Sequence, residues 1–153
     1  MVPLGTAGFL LMASVADGNM ASLFFQRLRP NGDTLPGRRY PSSLLVGYPV
    51  RAIRDGDSVR VLTVTIDAAN FGNYTSWVTI DTAGTVGRIR RYANPAPGTA
   101  YACDMVPTAR GGWLAISHYA PVGGYVHPYL QELNTHGILL RQRQHILFAS
   151  TKA

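Results

Sequence analysis

The sequence predicts an all-β fold built from three four-stranded repeats, and three observations support this prediction. Short runs rich in Val, Ile, Thr and aromatic residues alternate with clusters of Gly, Pro, Asn and Asp, as in strands joined by turns. Ten prolines and 16 glycines are spread along the chain and leave no window long enough for a helix. The sequence also repeats itself at intervals of about 52 residues.

Three anchors define the repeat, and each recurs once in every unit. A short apolar run follows a turn at 9–13, 61–65 and 113–117. A turn glycine recurs at Gly32, Gly84 and Gly137. Eight residues after these glycines stand Tyr40, Tyr92 and His145. The chain of 153 residues has the size of one domain, and the anchors divide it into predicted repeats at 1–47, 48–99 and 100–153.

Four strands are predicted in each repeat. In the first repeat only 1–4 is available for the opening strand, and Asn31-Gly32 predicts a tight primed hairpin turn because such a turn needs positive φ. The middle repeat predicts strands at 48–53, 59–66, 74–80 and 85–92. The last repeat predicts strands at 101–106, 113–119, 125–133 and 138–145. Residues 146–153 joined to Met1 approximate the segment 92–105, so we expect the chain ends to meet at a boundary between repeats.

Each repeat has the same order of features: a glycine before an apolar strand, a polar loop, a strand that leads to the turn glycine, and a last strand. The matching stretches are AGFLLMASVADGNMASLFFQRLRPNGDTL, VRVLTVTIDAANFGNYTSWVTIDTAGTV and GGWLAISHYAPVGGYVHPYLQELNTHGIL. This pattern resembles bacterial kelch-like β-propellers, whose blades have roughly fifty residues. The resemblance implies the fold and transfers no catalytic residue.

Propellers usually close about four to eight blades around a channel, so three blades do not close a ring. Two copies would supply six blades, and a two-fold dimer is the commonest closed oligomer. We therefore expect half of a six-bladed β-propeller that pairs with itself as a homodimer or in a higher ring. The alternative is a β-trefoil monomer, which also contains three four-stranded repeats in a chain of this length.

Composition limits the partners. The formal net charge is +6, and 14 basic residues, all of them Arg except Lys152, stand against eight acidic residues. The planar fork of Arg suits phosphate and carboxylate groups, so an acidic ligand or an acidic glycan fits this composition. The basic residues form no dense run, which argues against nucleic acid as a partner.

Cys103 is the only cysteine, which excludes an intrachain disulfide and a cysteine-based zinc site, and we expect it to be a small buried residue. The N-terminal segment has no basic region and its apolar stretch is broken by Gly5 and Gly8, so no classical signal peptide is expected. No apolar run approaches 18 residues. These features predict a soluble protein without a membrane span, in the cytoplasm or in a particle.

Two sets of residues are candidate ligand sites on the repeat. One set recurs near the end of each unit and consists of Arg38, Tyr40, Arg90, Tyr92, Arg143 and His145. Arginines at equivalent positions can face an anionic ligand, and the adjacent aromatic rings can serve as a platform for a sugar or a peptide. The alternative is structural: the arginines discourage edge pairing on an outer strand, and the rings pack between neighbouring blades.

The second set lies in the loop between the second and third strands, which differs most between units. In the last repeat this region contains His118, Tyr119, Tyr125 and His127. Variable loops on a repeated scaffold are common binding sites. The two histidines have no carboxylate nearby and no recognised ligand spacing, so neither a metal nor another cofactor is expected.

Catalytic motifs are absent from the sequence. Glu132 is the sole glutamate, the aspartates stand mostly in turns, and no phosphate loop, nucleophile elbow or HExxH occurs. We therefore expect no enzyme activity. The leading hypothesis is a lectin-like module that binds glycans or proteins, and the alternative is a structural component of a larger particle such as a phage virion. A third hypothesis is a hydrolase whose carboxylates meet at the oligomer axis.

Overall fold

The computed structural model describes residues 1–17, 20–40, 47–66, 72–94 and 97–145. These residues form twelve β-strands and one 3-10 turn at Gly5–Ala7, with no α-helix among them, so the all-β prediction is confirmed. The strands are β1 (Val2–Pro3), β2 (Phe9–Asp17), β3 (Met20–Leu28), β4 (Arg38–Arg39), β5 (Gly47–Asp55), β6 (Ser58–Ile66), β7 (Asn73–Asp81), β8 (Val86–Arg91), β9 (Gly98–Pro107), β10 (Trp113–Pro121), β11 (His127–Leu133) and β12 (Leu139–Gln144). No helix in the described ranges is long and apolar enough to cross a membrane.

Some sequence-based expectations fall outside the described ranges. Residues 146–153, on which the expected meeting of the chain ends depends, lie outside them. So do 18–19 and 67–71, which belong to the variable loops of the first two repeats.

The strands form three sheets, each made of four consecutive antiparallel strands in chain order. We call them the first blade (β1–β4), the middle blade (β5–β8) and the last blade (β9–β12). Among the described residues, strands pair only within their own blade. A closed barrel requires strand pairing between repeats, so this pairing favours repeated blades over the β-trefoil alternative.

The blades stack face to face with their first strands on one side. The innermost strand β5 contacts both β1 and β9. Arg51 on β5 forms an ion pair with Asp104 on β9, at 3.3 Å between Nε and Oδ1. The fourth strands β4, β8 and β12 form the opposite edges of the sheets. Propeller blades have this arrangement, with the first strand of each blade nearest a common axis.

An apolar core fills the space between the first and middle blades. Leu10 and Phe25 of the first blade pack there with Val59, Val61 and Ile80 of the middle blade, and all five are at most 1% exposed. Alternate residues of a strand point to opposite faces of its sheet, so β6 directs Val59 and Val61 to this side. Leu62 and Val64, on the opposite face of β6, face the last blade.

A second core joins the middle blade to the last blade. Leu62 and Trp77 pack there with Trp113 and Leu133. The rings of Trp77 and Trp113 meet edge to face, with centroids 5.3 Å apart and an interplanar angle of 68°. Such an aromatic pair contributes about 0.5–1.5 kcal/mol beyond its burial. Because the middle blade is covered on both faces, β6 reads as a nearly continuous β-branched and apolar run, SVRVLTVTI.

The outer faces of the first and last blades carry apolar side chains that are only half-buried. On the first blade these are Phe9, Leu11 and Leu28. On the last blade these are Leu114, Ile116 and Leu130. Both faces therefore have the composition of an interface between blades, with no neighbour among the described residues.

The sequence predicts that equivalent residues of the second strands lie 52 residues apart in successive repeats. In the structure this spacing differs from 52 by two residues. Seven residues before the turn glycines stand the equivalent residues Phe25, Trp77 and Leu130. Their ladder partners on the second strands are Met12, Leu62 and Ile116. The uniform offset would instead equate Leu62 with Leu10 and Leu114. The hairpin loops between the second and third strands differ in length, and this changes the pairing register between these strands. Because side chains alternate between the two faces of a strand, a shift of two residues keeps every side chain on the same face of its sheet.

The loop at Asn31-Gly32 is not the primed two-residue turn that the sequence predicts. The N–H of Gly32 donates to the carbonyl of Arg29 at 3.0 Å. The N–H of Arg29 donates to the carbonyl of Asp33 at 2.8 Å. The loop is a type I turn followed by a glycine with φ of 90°. Pro30 explains the difference, because it has no N–H to pair with Asp33 across a two-residue hairpin, and its fixed negative φ suits the second position of a type I turn.

Cys103 is exposed, so the expectation that it is buried is wrong. On either side of it, Ala102 pairs with Ser117 and Asp104 pairs with Ile116, which leaves Cys103 as the extra residue of a β-bulge. A bulge interrupts the alternation of inward and outward side chains. The thiol donates only to the carbonyl of Tyr101, at 3.5 Å.

Replacing Gly137 with Ala is expected to destabilise the interface between the middle and last blades. A Cβ atom at Gly137 would stand 2.9 Å from the Trp77 ring, and φ there is 70°. Left-handed backbone costs an Ala about 1–2 kcal/mol, and overpacking adds about 1–3 kcal/mol. Gly123→Ala is the matched control, because φ is also 70° and no atom lies within 4 Å of the added Cβ. Urea unfolding of both variants measures the difference, and equal losses would contradict the packing argument.

Candidate functional site

The loops between the third and fourth strands have the same geometry in all three blades. In each, the N–H of the glycine donates to the carbonyl three residues earlier, at 3.0 Å. The glycines concerned are Gly32, Gly84 and Gly137, with φ of 90°, 87° and 70°. We call these loops the glycine turns and define them as residues 29–33, 81–85 and 134–138. Their shared shape lets one recognition contact recur along the stack.

Side chains brace the second and third glycine turns from within. Asp81 Oδ1 accepts the N–H groups of Ala83 at 2.9 Å and Thr85 at 2.7 Å. Asn134 Oδ1 accepts two N–H groups of its own turn in the same way, each at 2.9 Å. Asp and Asn favour such turns because their short side chains reach the backbone two to four residues ahead. The turns are therefore held in one conformation, with their carbonyl groups available to a neighbour.

A tyrosine of the preceding blade binds each of these two turns. The Tyr40 hydroxyl donates to the carbonyl of Gly84 at 2.9 Å and accepts the N–H of Val86 at 3.0 Å. The Tyr92 hydroxyl donates to the carbonyl of Gly137 at 2.7 Å. Both tyrosines directly follow the fourth strand of their blade, and each reaches across to the next blade.

An arginine two residues before each tyrosine contacts the same turn. Arg38 Nη1 donates to Thr85 Oγ1 at 3.1 Å. Arg90 Nε donates to the carbonyl of His136, also at 3.1 Å. The acceptors differ because the residue after the glycine is a threonine in one turn and Ile138, which has no polar side-chain atom, in the other. We call an Arg and a Tyr together with the glycine turn they bind an Arg-Tyr latch.

Burial keeps the tyrosine of the second latch uncharged. Tyr92 is 5% exposed, and loss of solvent raises the pKa of its phenol well above the usual value, while the positive charge of Arg90 lowers it by a smaller amount. The phenol therefore stays protonated and acts as the hydrogen-bond donor to the Gly137 carbonyl. A neutral donor and a neutral acceptor can be buried together at small cost, since each satisfies the other.

The third copy of this pair has no turn beside it among the described residues. Arg143 and His145 are exposed, and they line a groove of about 270 Å³ together with Leu114, Leu130, Glu132 and Arg141. Arg141 forms an ion pair with Glu132 at one side of this groove. The structure thus places two of the three predicted Arg and aromatic pairs between blades and leaves the third open. It does not gather the three pairs around one common ligand.

The predicted cluster in the last blade is divided by burial. Tyr119 is 1% exposed, and its hydroxyl donates to the carbonyl of Pro97 at 3.3 Å. Tyr125 is 83% exposed, His118 is exposed and His127 is half-buried. Tyr119 and His127 are ladder partners on one face of the sheet, whereas His118 lies on the opposite face. The four residues therefore do not form one site.

Tyr129, which neighbours this set, belongs to the core. Its ring lies 6.0 Å from that of Tyr119, and its hydroxyl donates to Gln142 Oε1. Burial raises the pKa of Tyr129 to about 12; the hydrogen bond from Gln131 lowers it, and the neighbouring Tyr119 raises it. Within the described ranges, no three His, Cys, Asp or Glu side chains stand close enough together to hold a metal ion.

Sequence reasoning found the Arg and Tyr positions but not the group they bind. The acceptors are mostly backbone carbonyls, which no side-chain pattern reveals. The sequence signal for this contact is that the turn glycine and the tyrosine recur together in the same repeat. The hydrogen bond between Thr75 and Ser117, 2.9 Å long and buried between blades, was also missed because single hydroxyl residues in strands carry no distinctive spacing.

The sequence matches no protein-family model and no curated protein.

Replacing Tyr92 with Phe is expected to destabilise the stack by about 1–3 kcal/mol, because it leaves the buried carbonyl of Gly137 without its donor. Tyr125→Phe removes the same atom from a side chain that is 83% exposed and serves as the control. The free energy of unfolding in urea measures both effects. Equal values for the two variants would contradict a structural role for the latch.

The stability of the fold is expected to fall at alkaline pH. Tyr92 and Tyr129 have raised pKa values in the folded chain, about 12 for Tyr129, whereas unfolded tyrosines ionise near pH ~10. Between these values the unfolded chain releases protons that the folded chain retains, so the free energy of unfolding decreases as pH rises through this window. Urea unfolding at a series of pH values measures the slope. The double variant Tyr92→Phe, Tyr129→Phe is expected to flatten it, and an unchanged slope would contradict the assignment.

Proposed function

We propose that this chain is a non-catalytic assembly module of the β-propeller type that works by binding protein surfaces. The supporting observation is the pair of apolar outer faces on the first and last blades. Phe9 and Leu11 on the first blade are half-buried, whereas Val59 and Val61, which hold equivalent places on the middle blade, are fully buried. A contiguous exposed apolar face of this kind is typical of an interaction surface.

The repeated pattern that resembles kelch-like propellers supports the same proposal. Blades of this type usually belong to closed rings of more than three, so the half-covered faces of the first and last blades are where further blades would pack. A structural component of a larger particle is one protein of this class, since its outer blades would contact neighbouring subunits.

The state of the acidic residues supports a function without catalysis. Asp55 binds Arg60 at 2.9 Å, Asp104 binds Arg51 at 3.3 Å, and Glu132 binds Arg141. Asp81 accepts hydrogen bonds from backbone N–H groups of its own turn. A glycosidase needs two carboxyl groups roughly 5–10 Å apart with pKa values tuned in opposite directions. Carboxylates engaged in separate structural contacts are poor candidates for such a pair.

A lectin-like function is the second candidate, and a different observation favours it. Tyr101 and His118 are ladder partners on β9 and β10 and are both exposed. Side by side on the outer face of the last blade, they offer an aromatic ring and an imidazole donor to a sugar. A ligand bound there would compete with a protein for the same face.

Association is expected when the chain is studied alone in solution. Light scattering over a range of concentrations should give a mass of two or more copies. Leu11→Asp on the outer face of the first blade should lower that mass, because it buries a charge in the contact. Ile89→Asp, at an exposed site on the middle blade, is the control and should not. A wild-type chain that stays monomeric but binds a glycan array in a Tyr101-dependent manner would overturn the assembly proposal in favour of the lectin-like one.

A further inference from the structure

The groove on the last blade has the features of an empty seat for a glycine turn. In the two interfaces inside the chain, the equivalent place is filled. Gly84 lies against Phe25 of the first blade, and Gly137 lies against Trp77 of the middle blade. Leu130 holds the position equivalent to Phe25 and Trp77, and it lines the groove. The glycine turns at Gly84 and Gly137 therefore show what the groove on the last blade is shaped to receive.

The first blade carries a glycine turn that no blade covers among the described residues. Gly84 and Gly137 are buried, but Gly32 is exposed, and nothing lies within 4 Å of a Cβ atom built on it. Its turn has the same hydrogen-bonded shape as the other two. Among the described residues, the chain thus has an open groove on its last blade and an uncovered glycine turn on its first blade.

We propose that the glycine turn at 29–33 of a second copy inserts into the groove of the last blade and forms a third latch there. His145, which occupies the tyrosine position, would donate to the Gly32 carbonyl. Arg143 would pair with Asp33, just as Arg38 binds Thr85, the residue that follows Gly84. This inference rests on the proposed assembly function and specifies its partner and its contact residues.

Charge complementarity identifies a second copy as the occupant. Each of the two latches within the chain joins an arginine to a neutral acceptor, Thr85 Oγ1 or the carbonyl of His136. The glycine turn of the first blade instead carries an exposed carboxylate, Asp33, which accepts a hydrogen bond from the side chain of Asn31 at 2.8 Å and would face the exposed Arg143 of the other copy. An ion pair across an interface fixes its register and suppresses wrong partners.

The apolar faces that flank the latch match as well. On the first blade, Phe9 and Leu11 are half-buried and equivalent to Val59 and Val61. On the last blade, Ile116 is half-buried and equivalent to the fully buried Leu62. The contact between copies would repeat the contact between blades. Two such contacts related by a two-fold axis give six blades in a closed ring.

A charge exchange tests the third latch. Arg143→Asp and Asp33→Arg are each expected to weaken association at least about tenfold, because each places like charges opposite one another. The double variant is expected to recover most of the wild-type dissociation constant, since the pair is restored with its charges reversed. Arg88→Asp, the same charge change at an exposed site on the fourth strand of the middle blade, is the control. Sedimentation equilibrium of the full chain measures the constants, and circular dichroism confirms that each variant folds.

A second variant tests the histidine position independently. His145→Tyr installs the residue used by the two latches within the chain and keeps a hydrogen-bond donor at this position, so association should stay within about twofold of the wild-type value. His145→Ala removes the donor and should weaken association about fivefold, the equivalent of one net hydrogen bond of about 1 kcal/mol. Neither change alters the outer face of the first blade, so any effect on association arises at the groove of the last blade.

The outcomes separate this inference from the proposed function. A dimer that all of these variants leave unchanged would overturn the third latch while the assembly function stands. A wild-type chain that is monomeric at every concentration would overturn both. Open assemblies of more than two copies that dissociate in the Arg143→Asp variant would overturn the ring closed by two copies.

Discussion

The hydrogen bond from a fourth-strand tyrosine to a glycine-turn carbonyl of the next blade sets the order of the stack. Among the described residues no strand pairs between blades, so the backbone ladder does not hold one sheet to another. Apolar packing between the sheets supplies most of the favourable energy, but packing of flat faces is not directional. The contacts of Tyr40 with Gly84 and of Tyr92 with Gly137 add direction, because a donor and an acceptor satisfy each other in only one register.

The three blades differ in how much of their stability comes from neighbours. The middle blade is covered on both faces, and its residues Val61, Leu62, Trp77 and Val78 are fully buried. The first and last blades are covered on one face and keep apolar groups in contact with water on the other. Each square ångström of such surface that is later covered contributes about 25 cal/mol. Covering the outer faces would therefore add stability to the two blades that are covered on one face only.

The strand content and the number of blades could be predicted from the sequence, because turn glycines and short β-branched runs recur visibly. The register of the second strands could not, since it depends on hairpin loop lengths that a uniform offset ignores, as Met12 and Ile116 show. The candidate residues Tyr40 and Tyr92 could be found by recurrence. Their role could not, because the acceptor is a backbone carbonyl belonging to the next repeat.

The proposed third latch would differ chemically from the first two in a way that fits a contact between copies. A contact within one chain forms at a high effective concentration, so a neutral hydrogen bond suffices. A contact between separate copies must first form by diffusion, and opposite charges speed that encounter and align the partners. Arg143 and Asp33 provide such charges, whereas Arg38 and Arg90 meet neutral groups. In the proposed contact, His145 in place of a tyrosine and Asp33 in place of Thr85 or Ile138 would both stand at the junction between two chains.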